Sequence, residues 1–130
     1  MGDWIDRYIE AWNSHDATAI FNFMTEDAVF IHWWDGEWKV WSGRDAIITW
    51  IDALATEWST DYRLERTFGL ATGGGFAIEY VESGVNDSGD EATGKRFSIR
   101  SAFIGELRSG KISRITDYAN LLEYSKQVGS

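Results

Sequence analysis

The 130-residue chain contains no cysteine and no proline, and it has only two histidines. Without cysteine there is no disulfide, no thiolate metal site and no thiol nucleophile. The histidines, His15 and His32, lack the spacing of a helical metal motif, so we expect no metal centre. No serine lies in a nucleophile-elbow motif. The remaining candidates for chemistry are carboxylates, tyrosines and histidines.

Basic residues are also scarce: 12 lysines and arginines stand against 21 aspartates and glutamates, which gives a formal charge of −9. This surplus of negative charge repels phosphate backbones and anionic membranes, so we expect neither nucleic acid nor membrane as a partner. No apolar run approaches the roughly 20 residues that span a bilayer, and the acidic N-terminus is unlike a signal peptide. We expect a single cytoplasmic domain over residues 1–130.

Aromatic side chains, by contrast, are abundant: eight tryptophans, five tyrosines and seven phenylalanines. A solid core of this size needs fewer, so we expect a ligand cavity with aromatic walls. Two stretches place apolar side chains at the spacing of an amphipathic helix. The first contains Trp4, Ile5, Tyr8, Ile9 and Trp12, and the second contains Ile47, Trp50, Ile51, Leu54 and Trp58.

The first half of the chain is predicted to form three helices and one hairpin. The short second helix is predicted to include Phe23 and Met24. Residues 28–34 read as a strand, Asp35-Gly36 is a strong two-residue turn signal, and residues 37–41 return as the partner strand. This turn is predicted to pair Phe30 with Trp41 and His32 with Lys39. The side chains that can cap these helices are Asp3, Asp16 and the pair Ser42 and Asp45.

The second half is predicted to be a meander of four strands, near residues 62–71, 76–85, 96–107 and 112–119. A short helix follows from Asn120, with Glu123 as its capping partner. Helices followed by a run of strands indicate an α+β fold rather than alternating α/β. We expect a curved six-stranded mixed sheet, mostly antiparallel, that wraps around the N-terminal helices as a cone with a hydrophobic cavity.

Alternation along the strands predicts which side chains face the inside of this cone. The predicted polar groups of the cavity are His32, Tyr80, Glu82 and Asp117. The predicted substrate-pocket residues are Phe30, Trp34, Trp41, Trp50, Ile78, Ile99, Ser101, Phe103 and Ile115. Trp33 and Trp38 fall on the outer face, where apolar surface favours a homodimer. His15, in a turn between helices, is expected at the surface.

Three segments resemble the SnoaL-like branch of the nuclear-transport-factor-like superfamily. That branch includes polyketide cyclases and limonene-epoxide hydrolase, with ketosteroid isomerase as a more distant relative. The segments are residues 8–30 (YIEAWNSHDATAIFNFMTEDAVF), 42–47 (SGRDAI) and 110–124 (GKISRITDYANLLEY). Together with the order of elements they cover nearly the whole chain. The resemblance implies the conical α+β fold, which hosts several chemistries as well as binding proteins.

The resemblance also implies site residues. Asp117 stands where the hydrolase and several cyclases keep an acid–base aspartate. Glu82 stands in place of the hydrolase's second carboxylate, and Tyr80 in place of its arginine. Phe30 and His32 stand where the hydrolase holds its water with a tyrosine and an asparagine.

Two carboxylates in an aromatic pocket cannot both ionise comfortably, so one becomes an acid while the other stays a base. We expect Asp117 to be the base, assisted by His32, and Glu82 or Tyr80 to donate a proton. The alternative for Asp117 is a strand-end carboxylate that caps the last helix or pairs with Arg114.

The expected function is that of a cofactor-independent acid–base enzyme acting on a small hydrophobic molecule, with epoxide hydrolysis or opening as the first choice. In that reaction Asp117 takes a proton from the attacking water while Glu82 protonates the opening oxygen. Polyketide cyclisation and ketosteroid-isomerase-like isomerisation through an enol are close alternatives. A non-catalytic module that binds small apolar ligands is the competing class.

Overall fold

The computed structural model describes residues 2–34, 36–85 and 94–128, without the side chains of residues 2, 3 and 34. The predicted cap at Asp3, the pocket side chain of Trp34 and Asp35 of the turn therefore lie outside the description. The helices are α1 (Gly2–Asn13), α2 (Ala17–Phe21), α3 (Arg44–Ala55) and α4 (Leu121–Val128). The strands are β1 (Met24–Trp34), β2 (Glu37–Ser42), β3 (Arg63–Ala71), β4 (Gly75–Val85), β5 (Arg96–Arg108) and β6 (Lys111–Tyr118).

The six strands form one mixed sheet in the order β2-β1-β6-β5-β4-β3. β1 and β6 run parallel, whereas the other neighbouring strands run antiparallel. α1 packs on β3, α3 packs on β1 and β2, and α4 packs on β5. The predicted α+β class and its six-stranded mixed sheet are confirmed. None of the described helices is both long and apolar enough to cross a membrane.

The β1–β2 hairpin has the register predicted from its turn. The opposed pairs are Phe30 with Trp41, His32 with Lys39, and Trp33 with Trp38. On its other side β1 pairs with β6, and there His32 lies opposite Asp117. The parallel pairing therefore places an imidazole and a carboxylate on adjacent strands of the inner face.

The end of α2 differs from the prediction. Asp16 caps the helix as expected, since its carboxylate accepts hydrogen bonds from the backbone of Thr18 and Ala19. However, α2 ends at Phe21, and assigning Phe23 and Met24 to it was wrong. Strand pairing overrides the helical spacing here: Met24 opens β1, and the Phe23 carbonyl accepts a 2.8 Å hydrogen bond from the backbone N–H of Ile112 in β6.

The start of α3 also differs from the prediction. Its N-cap is Gly43, at a φ of 86°, and no side chain caps the helix. Ser42 remains the last residue of β2, so the capping pair of Ser42 and Asp45 was wrong. Glycine tolerates this positive φ without steric cost, which lets the chain turn directly from strand into helix. At α4 half of the predicted capping pair forms: the Asn120 side chain accepts a 3.2 Å hydrogen bond from the backbone N–H of Glu123, but the Asn120 N–H donates to the Ser101 hydroxyl rather than to the Glu123 side chain.

The outer face of the sheet carries large apolar side chains in the open. Trp33 and Trp38 are 40% and 49% exposed and meet edge to face at 5.2 Å. Phe68, Ile104 and Tyr118 on neighbouring strands are about equally exposed. Such a surface is typical of a contact with another protein, and the homodimer expected on this face stays a prediction.

Gly105 in β5 offers a test of how tightly the sheet is packed. A Cβ at this position would overlap the Arg114 carbonyl oxygen of β6 and lie 2.7 Å from the Phe76 ring of β4. We expect Gly105→Ala to lower the free energy of unfolding by about 3 kcal/mol, because the strands themselves would have to separate. Gly74→Ala, where no atom lies within 4 Å, is the matched control. Equal urea midpoints for the two variants would contradict this packing.

Candidate active site

A cavity of about 520 Å³ opens between the sheet, the end of α3 and α4. We call it the aromatic cavity. Its aromatic walls are Trp12, Trp41, Trp50, Trp58, Tyr62, Phe97 and Tyr124. Its ionisable groups besides tyrosine are His32, Glu57, Glu82 and Asp117. The remaining lining residues are Leu54, Val85, Ile99, Ala119 and Leu121. This is the size and composition of a small-molecule site, an apolar pocket with a few polar groups.

The walls hold two stacked aromatic pairs. The rings of Trp41 and Trp50 lie parallel with centroids 3.8 Å apart, and those of Trp58 and Tyr62 lie parallel at 4.5 Å. Trp50 reaches the cavity from α3. Ile47 and Ile51 on the same helix are buried in the core. The helical stripe seen in the sequence thus serves both core and cavity.

His15 helps to fix the second pair, although it was expected at the surface. Its Nε2 lies 2.8 Å from the carbonyl oxygen of Tyr62, and its ring packs edge to face against Trp58 at 5.1 Å. Nearby, the Asn13 side chain bonds both the N–H and the carbonyl of Leu64. The loop between α1 and α2 therefore anchors the chain that carries Tyr62.

Asp117 is the most buried acidic group of the cavity, with 8% of its surface exposed. One carboxylate oxygen accepts a 2.6 Å hydrogen bond from the Tyr80 hydroxyl, and the other lies 3.4 Å from Nε2 of His32. The alternative roles for Asp117 do not hold. Arg114 instead lies 3.9 Å from Glu106, and α4 is capped by Asn120.

Glu82 forms a second pair of the same kind, because its carboxylate accepts a short hydrogen bond from the Tyr62 hydroxyl. Burial, and next the negative charge of Asp117, raise the pKa of Glu82 to about 7. The Tyr62 hydrogen bond and His32 oppose this shift without cancelling it. Glu82 is therefore a carboxyl group that can hold a proton at neutral pH.

The pKa values of the neighbouring groups are raised as well. Burial lowers the pKa of His32, but its hydrogen bond to Asp117 and the charge of Asp117 outweigh burial, so the net pKa is raised. Burial, followed by the charge of Asp117, raises the pKa of Tyr80 well above its usual value. Burial and Glu82 do the same to Tyr62. At neutral pH both tyrosines are therefore hydrogen-bond donors to a carboxylate.

The predicted site residues separate into two groups. Those that line the cavity are His32, Trp41, Trp50, Glu82, Ile99 and Asp117. Those that lie behind it in the packed core are Phe30, Ile78, Tyr80, Ser101, Phe103 and Ile115. The physical reason is α1: Trp12 stacks on Phe103 at 5.7 Å and lies 6.2 Å from Phe30, and Tyr8 meets Phe103 at 5.8 Å. α1 fills the narrow half of the cone.

Several cavity residues were missed by the sequence reasoning. Tyr62 precedes β3, and the alternation of buried Tyr62 and Leu64 around exposed Arg63 is a signal that could have placed it. Glu57 follows α3, and Tyr124 belongs to α4, where no pattern shows how the helix docks. Among the described residues no three His, Asp or Glu side chains converge as metal ligands. The expectation of no cofactor stays a prediction.

Comparison with solved structures agrees with this architecture. A protein of Catenulispora acidiphila with a ketosteroid isomerase-like fold, in complex with trimethylamine, matches with a TM-score of 0.82 at 19% identity. The match covers 96% of this chain and 91% of that one. The fold is thus the ketosteroid isomerase-like α+β cone.

Two further structures share more of the sequence. A proposed polyketide cyclase of Xanthomonas campestris is 27% identical, with a TM-score of 0.76 over 95% of this chain and 93% of that one. A proposed polyketide cyclase of Silicibacter sp. TM1040 is 26% identical, with a TM-score of 0.77 over 99% and 95%. No curated protein matches the sequence. Residues 5–115 match the SnoaL-like domain family, and the chain belongs to that family.

The raised pKa of Glu82 predicts a pH-dependent stability. A carboxyl group whose pKa rises from 4.5 to about 7 on folding favours the folded state fully below about pH 4.5. This contribution is lost as the pH rises through 7. We expect Glu82→Gln to exceed the wild type in free energy of unfolding by up to about 3 kcal/mol at pH 8, and by little at pH 4.

Urea denaturation at the two pH values measures this difference. Glu79→Gln, on the opposite face of β4 where Glu79 pairs with Arg100 at 3.2 Å, controls for the loss of one negative charge. A constant difference between wild type and Glu82→Gln from pH 4 to pH 8 would show that Glu82 titrates normally.

Proposed function

We propose that the aromatic cavity is the active site of a cofactor-independent enzyme that cyclises or isomerises a small apolar carbonyl compound through an enol. One observation carries this proposal. Two carboxylates, the buried Asp117 and the half-buried Glu82, are each held by a tyrosine hydroxyl and face the same cavity, and His32 lies beside the first. Membership of the SnoaL-like family and the two proposed polyketide cyclases among its structural neighbours support the same class.

Asp117 is the proposed base. It stands at the wall of an apolar cavity, so a bound carbon acid can reach it without competing bulk water. The Tyr80 hydroxyl at 2.6 Å fixes one oxygen, which leaves the oxygen near His32 to take the proton. In its protonated form, which its raised pKa favours, His32 can donate a hydrogen bond to the oxyanion that develops on the substrate, because positioned donors stabilise such charge.

Glu82 is the proposed acid. Its pKa of about 7 keeps a substantial fraction protonated at neutral pH, which suits a general acid. Tyr62 orients it, and His15 holds Tyr62 in place through the backbone. Burial and the negative charge of Asp117 favour the protonated form of Glu82, which assigns Glu82 as the acid and leaves Asp117 as the base.

The reaction needs one proton from carbon and one proton to oxygen or carbon. Asp117 removes the proton next to the carbonyl, and the electron pair of the C–H bond forms the enolate. In a cyclisation the enolate carbon attacks a second carbonyl of the same molecule, and Glu82 protonates the new alkoxide. In an isomerisation Glu82 instead protonates the enolate at another carbon, which restores the carbonyl. Solvent exchange at the cavity mouth resets both carboxyl groups.

Epoxide opening is the second candidate, and the same pair of carboxylates favours it. Asp117 would take a proton from water as the water attacks one epoxide carbon, while Glu82 protonates the opening oxygen. This step also requires one base and one acid on a single apolar cavity. Tyr80, which stands in place of the arginine of limonene-epoxide hydrolase, supplies the fixed donor to Asp117.

Turnover of two substrate panels tests the proposal. One panel contains apolar diketones and β,γ-unsaturated ketones, and the other contains terpene and aryl epoxides. We expect Asp117→Asn and Glu82→Gln each to lower kcat about 10²- to 10⁴-fold, as the loss of a general base or acid does. In the wild type, activity should fall as the pH rises through about 7, because Glu82 loses the proton it donates.

Glu79→Gln, on the outer face of the same strand, is the matched control and should keep wild-type kcat. Product from ketones alone favours cyclase or isomerase, and diol from epoxides alone favours the hydrolase. Turnover that survives Asp117→Asn would contradict the assignment of the base. No turnover in either panel would leave a module that binds apolar ligands.

A further inference from the structure

We infer that the small carbonyl compound bound in the aromatic cavity carries an amine, which binds as a cation between carboxylates and aromatic rings. The inference names the substrate class of the same site and so rests on the proposed function. Three carboxylates line the cavity: Asp117, Glu82 and, at the exposed end, Glu57. Facing them, His32 is the one basic side chain among the described lining residues. A ligand in this cavity therefore meets more negative than positive charge.

The arginines of the chain pair elsewhere. Arg66 lies 2.8 Å from Asp6, Arg96 lies 2.8 Å from Asp61 and Arg100 lies 3.2 Å from Glu79, all with exposed side chains. Asp6, Asp61 and Glu79 thus have cationic partners at the surface, whereas no ion pair joins Glu57 or Glu82 to a basic side chain within the described residues. The raised pKa of Glu82 fits this picture, since burial and Asp117 both oppose its charge.

The walls suit a cation as well. The stacked pairs of Trp41 with Trp50 and Trp58 with Tyr62 bring three indoles and a phenol to one cavity. The electron-rich faces of indole rings attract ammonium groups, most strongly where water is excluded. Aromatic rings together with carboxylates are the usual recognition elements for alkylammonium ligands. An anionic ligand would find only His32 as a partner and would be repelled by the rest.

The inference predicts an order of affinity among three probes of similar shape. We expect 2-phenylethylammonium to bind about tenfold more tightly than 2-phenylethanol, and 3-phenylpropanoate to bind about tenfold more weakly than the alcohol. Calorimetric titration of the intact protein at about pH 8, where Glu82 is ionised and the amine is still protonated, measures all three.

Two variants test whether the negative charge that attracts the cation lies in the cavity. Glu57→Gln should weaken binding of the ammonium probe about threefold and leave the alcohol unchanged, as loss of a solvent-facing partner does. Asp52→Asn removes the same charge from an exposed position on α3 outside the cavity and should change neither. An equal effect of the two variants would mean that the protein's overall charge, and not the cavity, attracts the cation.

The outcomes separate this inference from the proposed function. Equal binding of ammonium and alcohol, preference for the anion, or no binding of the ammonium probe would each overturn the inference, even if turnover of neutral ketones depends on Asp117. Conversely, selective binding of the ammonium probe with no turnover of either panel or of an amino ketone would support the amine site and contradict the proposed enzyme.

Discussion

The rest of the site depends on one constraint: two carboxylates, Asp117 and Glu82, share a single buried and largely apolar cavity. Burial and mutual repulsion make it costly to ionise both, and the pKa of Glu82 rises to about 7 as a result. Two tyrosines, one for each carboxylate, reduce this cost by donating hydrogen bonds. Burial keeps both tyrosines protonated. The protein thus holds an acid and a base in the lining of one cavity.

The sheet order makes this arrangement possible. The parallel pairing of β1 with β6 sets His32 against Asp117, and the antiparallel run through β5 to β4 brings Tyr80 to the same carboxylate. Tyr62 enters from the residue just before β3, where His15 and Asn13 hold the chain. Groups from widely separated parts of the sequence therefore converge, as expected for a SnoaL-like cone.

Local patterns in the sequence predicted the fold and some of the residues that line the cavity. The Asp35-Gly36 turn predicted the hairpin register, and strand alternation placed His32, Glu82 and Asp117 on one face. Alternation could not show how deep α1 sits, so Phe30 and Phe103 were expected at the cavity but lie beneath Trp12. The docking of Tyr62, Glu57 and α4 depends on packing between distant segments, which local periodicity does not encode.

The most direct test of this account is to measure the pKa of Glu82 from the chemical shift of its ¹³C-labelled carboxyl carbon, in the wild type and in Asp117→Asn. We expect a midpoint near 7 in the wild type, and a lower one in the variant because the repelling charge is gone. A wild-type midpoint near the usual 4.5, or one that Asp117→Asn leaves unchanged, would contradict the coupling on which the proposed acid–base chemistry rests.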